Sequence, residues 1–111
     1  ISIYEPHLYS RTAEFKKETA EALQLSDKII ITDIFGSREK PIENITSKII
    51  TNELNSLGHE NHILIENKNK IDNYLKNEIN KNDIILVMGA GKINSIVYDV
   101  IKILEEKYEK N

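Results

Sequence analysis

Apolar residues along this chain keep two alternating rhythms: short runs rich in β-branched side chains, and longer stretches where apolar positions return every three or four residues. The first rhythm belongs to strands and the second to amphipathic helices. Residues 1–4 form a β-branched and aromatic run that stops at Glu5-Pro6. A residue ahead of proline is held extended, so a strand entering a loop is predicted. Over residues 11–25, Phe15, Ala22 and Leu23 share a helical face with Thr19, behind Ser10 and Thr12 as candidate N-caps. Residues 28–34 hold four isoleucines in a stretch too short and too β-branched for a helix. Their near-continuous apolarity fits a strand covered on both faces, as in a parallel sheet. Residues 35–45, with Gly36, Ser37, Pro41 and Asn44, show no apolar period and are predicted to be a loop long enough to carry function.

The alternation continues to the end of the chain. Thr46 can cap a helix carrying Ile49, Ile50, Leu54 and Leu57, with Gly58 where a left-handed C-terminal cap belongs. A third strand is predicted at residues 62–65 and a third helix through Ile71, Tyr74, Leu75 and Ile79. Residues 83–88 read as a buried strand, and Gly89-Ala90-Gly91 turns the chain. Ile93, Ile96, Val97, Val100, Ile101 and Leu104 form the stripe of a last helix, whose end over residues 105–111 is charged and expected to be solvated. Strands alternating with helices require right-handed crossovers. The predicted fold is therefore α/β, a three-layer, Rossmann-like, mainly parallel open sheet with helices on both faces, formed by residues 1–111 as one domain. A first strand beginning at residue 1 is expected to leave an edge where upstream chain once paired. The chain starts at Ile1 and its single methionine is Met88, so an N-terminally truncated domain is expected.

Composition narrows the function classes. At 111 residues the chain suffices for one core and not for two. A net charge of -3 gives no general attraction for nucleic acid or anionic lipid. There is no cysteine, which removes disulfides and thiolate metal sites, and no apolar run approaches the roughly 20 residues of a membrane helix. The lack of cysteine is compatible with the cytosol and says nothing further of the compartment; the expectation is a cytoplasmic protein without nucleic-acid or membrane partners.

Open parallel sheets bind ligands at the carboxyl ends of their strands. The first loop there, Glu5-Pro6-His7-Leu8-Tyr9-Ser10-Arg11-Thr12, gathers an imidazole, a phenol, a hydroxyl and a guanidinium at a helix start, a kit suited to an anion. Alternatively, Ser10 or Thr12 simply caps and Arg11 pairs with a surface acid. The second loop carries Arg38 and Glu39, either a ligand contact or a solvated turn. Arg11 and Arg38 are the chain's two arginines. The third, Gly89-Ala90-Gly91-Lys92, lets a phosphate or another backbone approach, but Asn94 stands where a dinucleotide fingerprint has its third glycine. His59 and His62 lack a third ligand nearby and are expected to be solvated, with no metal site. No Gly-x-x-x-x-Gly-Lys-Ser/Thr phosphate loop occurs.

The segments Tyr4-Glu5-Pro6-His7-Leu8-Tyr9-Ser10-Arg11-Thr12, Asp33-Ile34-Phe35-Gly36-Ser37-Arg38-Glu39-Lys40-Pro41-Ile42 and Asp83-Ile84-Ile85-Leu86-Val87-Met88-Gly89-Ala90-Gly91 follow one another in an order that resembles the C-terminal domain of the UDP-N-acetylmuramate:L-alanine ligase family, the alanine-adding Mur ligases. The likeness spans essentially the whole chain. Glu5 stands where the family often has Gln, Leu8 where Arg or Thr is frequent, and Lys92 where Asp or Asn commonly follows the turn. The resemblance implies a three-domain, ATP-dependent ligase of peptidoglycan synthesis working through an acyl phosphate. This chain would be the amino-acid-binding, closing domain, with the N-terminal and central domains of the same ligase as its partners. ATP and Mg²⁺ would be bound mainly by those missing domains, UDP-N-acetylmuramate by the first, and the fragment alone would be inactive, with no catalytic residue of its own. By the same resemblance His7 and Arg11 would hold the L-alanine carboxylate, Tyr9 and Ser10 would shape the pocket, and Arg38 and Glu39 would approach the nucleotide. The residues taken by themselves also fit a standalone α/β anion-binding or regulatory module without catalysis, or an interaction domain using an exposed sheet edge.

Overall fold

The computed structural model describes residues 1–108. Four strands, β1 (Ser2–Tyr4), β2 (Ile29–Ile31), β3 (His62–Leu64) and β4 (Leu86–Met88), form one parallel sheet in the order β3-β2-β1-β4. Helices α1 (Tyr9–Glu14), α2 (Lys16–Leu23), α3 (Lys48–Ser56), α4 (Lys68–Glu78) and α5 (Ile96–Tyr108) connect or follow them, with a 3₁₀ turn at Lys92–Ser95 before α5. The predicted three-layer α/β class is what is observed.

Strand alternation builds two cores. Ile29 and Ile31 point to one face, where they meet Ala20 and Leu23 of α2 and Ile50 and Leu54 of α3. Ile3 and Ile30 point to the other, against Ile71 and Leu75 of α4 and Ile96, Val100 and Ile103 of α5. A three-isoleucine strand is therefore apolar at every position because each face has its own helices.

Several elements depart from the sequence reading. β1 lies inside the sheet, paired with β2 through Ile3↔Ile30 and with β4 through Ile3↔Val87, so it is not the expected edge. The edges fall to β3 and to β4, whose Leu86 is 53% exposed where a buried strand was expected. The first helix begins two residues early and breaks at Phe15 (φ -108, ψ 20), although Phe15 N–H still reaches Arg11 O and Thr19 N–H reaches Phe15 O. Ala22 is exposed and Ala20 takes the buried position, because the break shifts the helical phase. Neither expected cap acts as one: Thr12 Oγ donates to Leu8 O at 2.6 Å, and the Ser10 hydroxyl points away from its own helix. In α5 the 3₁₀ turn rotates the stripe onto Ile96, Val100 and Ile103, leaving Val97 and Ile101 exposed. At the charged end of α5, Lys107 Nζ and Tyr108 OH donate to Ile79 O at 2.6 and 3.0 Å, closing the C-terminus of α4; residues 109–111 of the predicted solvated end lie outside the described residues.

Gly58 behaves as predicted. With φ 80 it ends α3, its N–H on Asn55 O at 3.0 Å and the next N–H, of His59, on Leu54 O at 3.1 Å. This is the paired 5→2 and 6→1 pattern that satisfies a helix's last carbonyls. Past it, His59 and His62 are half-buried partners, where solvated side chains were expected. His59 Nε2 lies 3.1 Å from Ser26 O, which can only accept, so Nε2 donates there, and His59 Nδ1 lies 3.3 Å from His62 Nδ1. Burial, followed by the neighbouring His59, lowers the pKa of His62 below its ordinary value of 6.5.

Gly58→Ala is expected to cost about 1 kcal/mol by forcing a Cβ into left-handed backbone, read as a lower midpoint in chemical denaturation. His62 favours its neutral form in the folded state, so its contribution is complete above pH 6.5 and lost as pH falls toward the lowered folded-state value. Melting temperatures of the wild type minus those of His62→Gln should therefore shrink on acidification from pH 7.5 to 5.5; a difference that stays flat or grows contradicts the lowered value.

Candidate functional site

The carboxyl edge of the sheet is built from the loops after β1, β2 and β4. Beyond Tyr4 the β1 and β2 chains stay side by side: Phe35 N–H donates to Pro6 O at 2.8 Å and Leu8 N–H to Phe35 O at 2.9 Å, a parallel bridge between His7 and Phe35. The His7 ring stacks on Phe35 with centroids 5.7 Å apart and planes 28° from parallel. Pairing at main-chain level thus sets where the imidazole sits, and the ring contact sets its plane.

Leu8 turns the chain into α1 with φ 67, unusual for a branched side chain. Its N–H is held by Phe35 and its carbonyl accepts both Thr12 N–H and Thr12 Oγ–H, so both its backbone groups are fixed. Tyr9 then lies over Gly36, where an added Cβ would stand 2.7 Å from the ring. That approach requires glycine.

Ser10 makes the strongest link between the two loops. Glu39 Oε1 accepts Ser10 N–H at 2.9 Å, and Glu39 Oε2 accepts the Ser10 hydroxyl at 2.5 Å. These two bonds, with smaller help from the Tyr9 backbone and the Arg11 charge, hold the Glu39 carboxyl below the usual carboxylate range. Arg11 is exposed on the first turn of α1 and, among the described residues, forms no ion pair. Arg38 is also exposed, on the turn that Glu39 N–H closes onto Gly36 O at 2.8 Å. The structure therefore brings His7, Tyr9, Ser10, Arg11 and Glu39 into one two-loop unit, with Arg38 on its outer turn.

Two cavities adjoin this unit. One of about 160 Å³ is lined by Tyr9, Asp33, Ile34, Ile45, Thr46 and Ser47. Of its lining residues, Ser47 is tied to the end of β2 by a buried bond from its hydroxyl to Thr32 O at 2.5 Å. The other, of about 350 Å³, runs past Glu5, Asp33, Phe35, Glu66 and Lys92. Burial and then the Glu66 charge raise the Asp33 carboxyl above its ordinary value.

The glycine turn after β4 is filled by the protein itself. Gly91 N–H donates to Glu5 Oε1 at 2.9 Å, and a Cβ at Gly91 would come within 2.7 Å of the Phe35 ring and 2.9 Å of that same carboxylate oxygen. A Cβ at Gly89 would overlap Ile93. These glycines serve close packing, and a carboxylate sits where a phosphate would need to approach. Among the described residues no three His, Asp or Glu side chains converge as metal ligands would.

Sequence reasoning did not find Glu5 as the partner of Gly91, Asp33 as a shared wall of both cavities, or the Ser10–Glu39 pair. The partners are 86 and 29 residues apart, and no local spacing signals them.

No family model matches the chain. Among curated proteins it is 35% identical over 107 residues to the UDP-N-acetylmuramate–L-alanine ligase of Sulfurihydrogenibium sp. (strain YO3AOP1), covering 96% of this chain and 23% of that protein. The proteins of the same name from Prochlorococcus marinus (strain NATL1A) and Caldicellulosiruptor bescii are 37% and 38% identical, over 100% and 92% of this chain and 23% and 22% of their own lengths. The chain thus spans less than a quarter of the curated relatives it matches, in their C-terminal region. No described helix is long and apolar enough to cross a membrane. Sequence identity along nearly the whole chain, on a sheet that carries all three matching loops at one edge, makes this chain a C-terminal domain of the UDP-N-acetylmuramate–L-alanine ligase family.

Proposed function

We propose that this domain binds the amino acid in a cytoplasmic ligase that joins L-alanine to UDP-N-acetylmuramate during peptidoglycan synthesis. The observation that carries this reading is the two-loop unit, which presents an exposed guanidinium and a ring-stacked imidazole from one backbone-paired segment. Arg11 offers the planar fork that matches a carboxylate, and His7 adds a second donor from the same loop. Tyr9, together with the hydroxyl-lined cavity beneath it, supplies walls of a size suited to a small side chain. ATP and Mg²⁺ are left mainly to the N-terminal and central domains, with the exposed Arg38 as this chain's candidate contact to the nucleotide.

Closure of the domain against the others would bring the held amino acid to the carboxyl group it attacks, converting an encounter into an oriented contact and excluding water. His7 and Arg11 act by binding and orientation. No proton transfer in this reading is assigned to this chain, and the domain alone is expected to be inactive.

In the complete enzyme, Arg11→Lys should raise the KM for L-alanine by about tenfold, the loss expected when a bidentate charged contact becomes a single one, while the KM for ATP changes little. An alanine KM equal to wild type removes Arg11 from this role. Saturable anion binding by the isolated domain, with no L-alanine effect in the complete enzyme, would instead favour a regulatory module.

A further inference from the structure

Helix α1 is too short to fix its own start. It has six residues, enters from a left-handed Leu8 and receives no capping bond from the side chain at that position. Its first-turn donors need an acceptor from elsewhere. Ser10 N–H and Ser10 Oγ–H both find it in Glu39, which is held by the Gly36–Glu39 turn directly beneath Tyr9. The anion at this helix start is thus one of the protein's own carboxylates. A substrate carboxylate meets the Ser10 donor already taken and must be held by side chains, of which Arg11 is the next residue along.

We propose that Glu39 is a positioning residue for the amino-acid site, gripping Ser10 so that Arg11 projects from a fixed first turn. This rests on the reading that Arg11 holds the substrate carboxylate. It differs from what the family resemblance implies, a Glu39 that approaches the nucleotide. Each Glu39 oxygen is committed to Ser10, and the pair joins the loop after β1 to the loop after β2 at the point where main-chain pairing between them has ended. Lengthening or loosening this link moves the guanidinium without touching substrate, and small displacements of an oriented group are costly to binding.

The test is steady-state kinetics of the complete enzyme carrying Glu39→Ala, Glu39→Gln, Ser10→Ala, the Ser10→Ala/Glu39→Ala double variant and Arg11→Lys, with separate KM values for L-alanine and ATP. Glu39→Ala is expected to raise the alanine KM about tenfold and leave the ATP KM within about twofold. Glu39→Gln, which keeps an acceptor for Ser10, should recover most of that loss. The double variant should be no worse than Glu39→Ala, since both remove one link. A raised ATP KM with an unchanged alanine KM overturns the proposal, and so does an additive double variant. If Arg11→Lys raises the alanine KM but Glu39→Ala does not, the positioning role alone fails. If neither variant changes it, the assignment of the amino-acid site fails with it. Thermal melts of each variant identify any that do not fold, and Glu39→Gln, nearest in shape, decides the matter if Glu39→Ala is among them.

Discussion

The three residues of β1 are hydrogen-bonded on both sides, and the rest of the domain depends on that arrangement. Pairing with β2 on one side and β4 on the other brings the loops after β1, β2 and β4 to one edge of the sheet, although they lie tens of residues apart in the chain. Ile3, fully buried in register with Ile30 and Val87, fixes that pairing, because a one-residue slip would turn Ile3 toward the wrong core. Every contact at the candidate site follows from this register: Phe35 reaches Pro6 and Leu8, Glu39 reaches Ser10, and Gly91 reaches Glu5.

The two sides of β1 are used differently. Toward β4, where open α/β sheets commonly hold ligands, Glu5 bonds the glycine turn and also lines the cavity of about 350 Å³ that runs past Phe35 and Lys92. Toward β2, the paired loops leave His7 stacked but accessible and Arg11 exposed. The exposed guanidinium therefore lies on the β2 side of β1 and the packed glycine turn on the β4 side.

What could be read from sequence was whatever burial imposes locally. Ile29 to Ile31 announced a strand covered on both faces, and Gly58 announced the end of α3, because each effect is contained within a few residues. The placement of β1 inside the sheet could not be read, since strand order depends on crossovers and not on the composition of three residues. The start of α1 was hidden for a related reason. Ser10 and Thr12 carry the side chains of N-caps, yet the helix is anchored by Glu39 from another loop, and Leu8 takes a positive φ that its residue type does not suggest. Val97 and Ile101 looked like core positions until the 3₁₀ turn at Lys92–Ser95 shifted the phase of α5. The residue types of the anion kit were legible in the first loop, but the clamp that orders them was not.

In the role proposed above, the paired loops after β1 and β2 form a preset cradle for the amino-acid carboxylate. A crystal structure of the complete protein with L-alanine bound tests this most directly. The alanine carboxylate is expected on the Arg11 guanidinium, with both Ser10–Glu39 bonds unbroken. An alanine bound away from Arg11, or a carboxylate that has displaced Glu39 from Ser10, would contradict it.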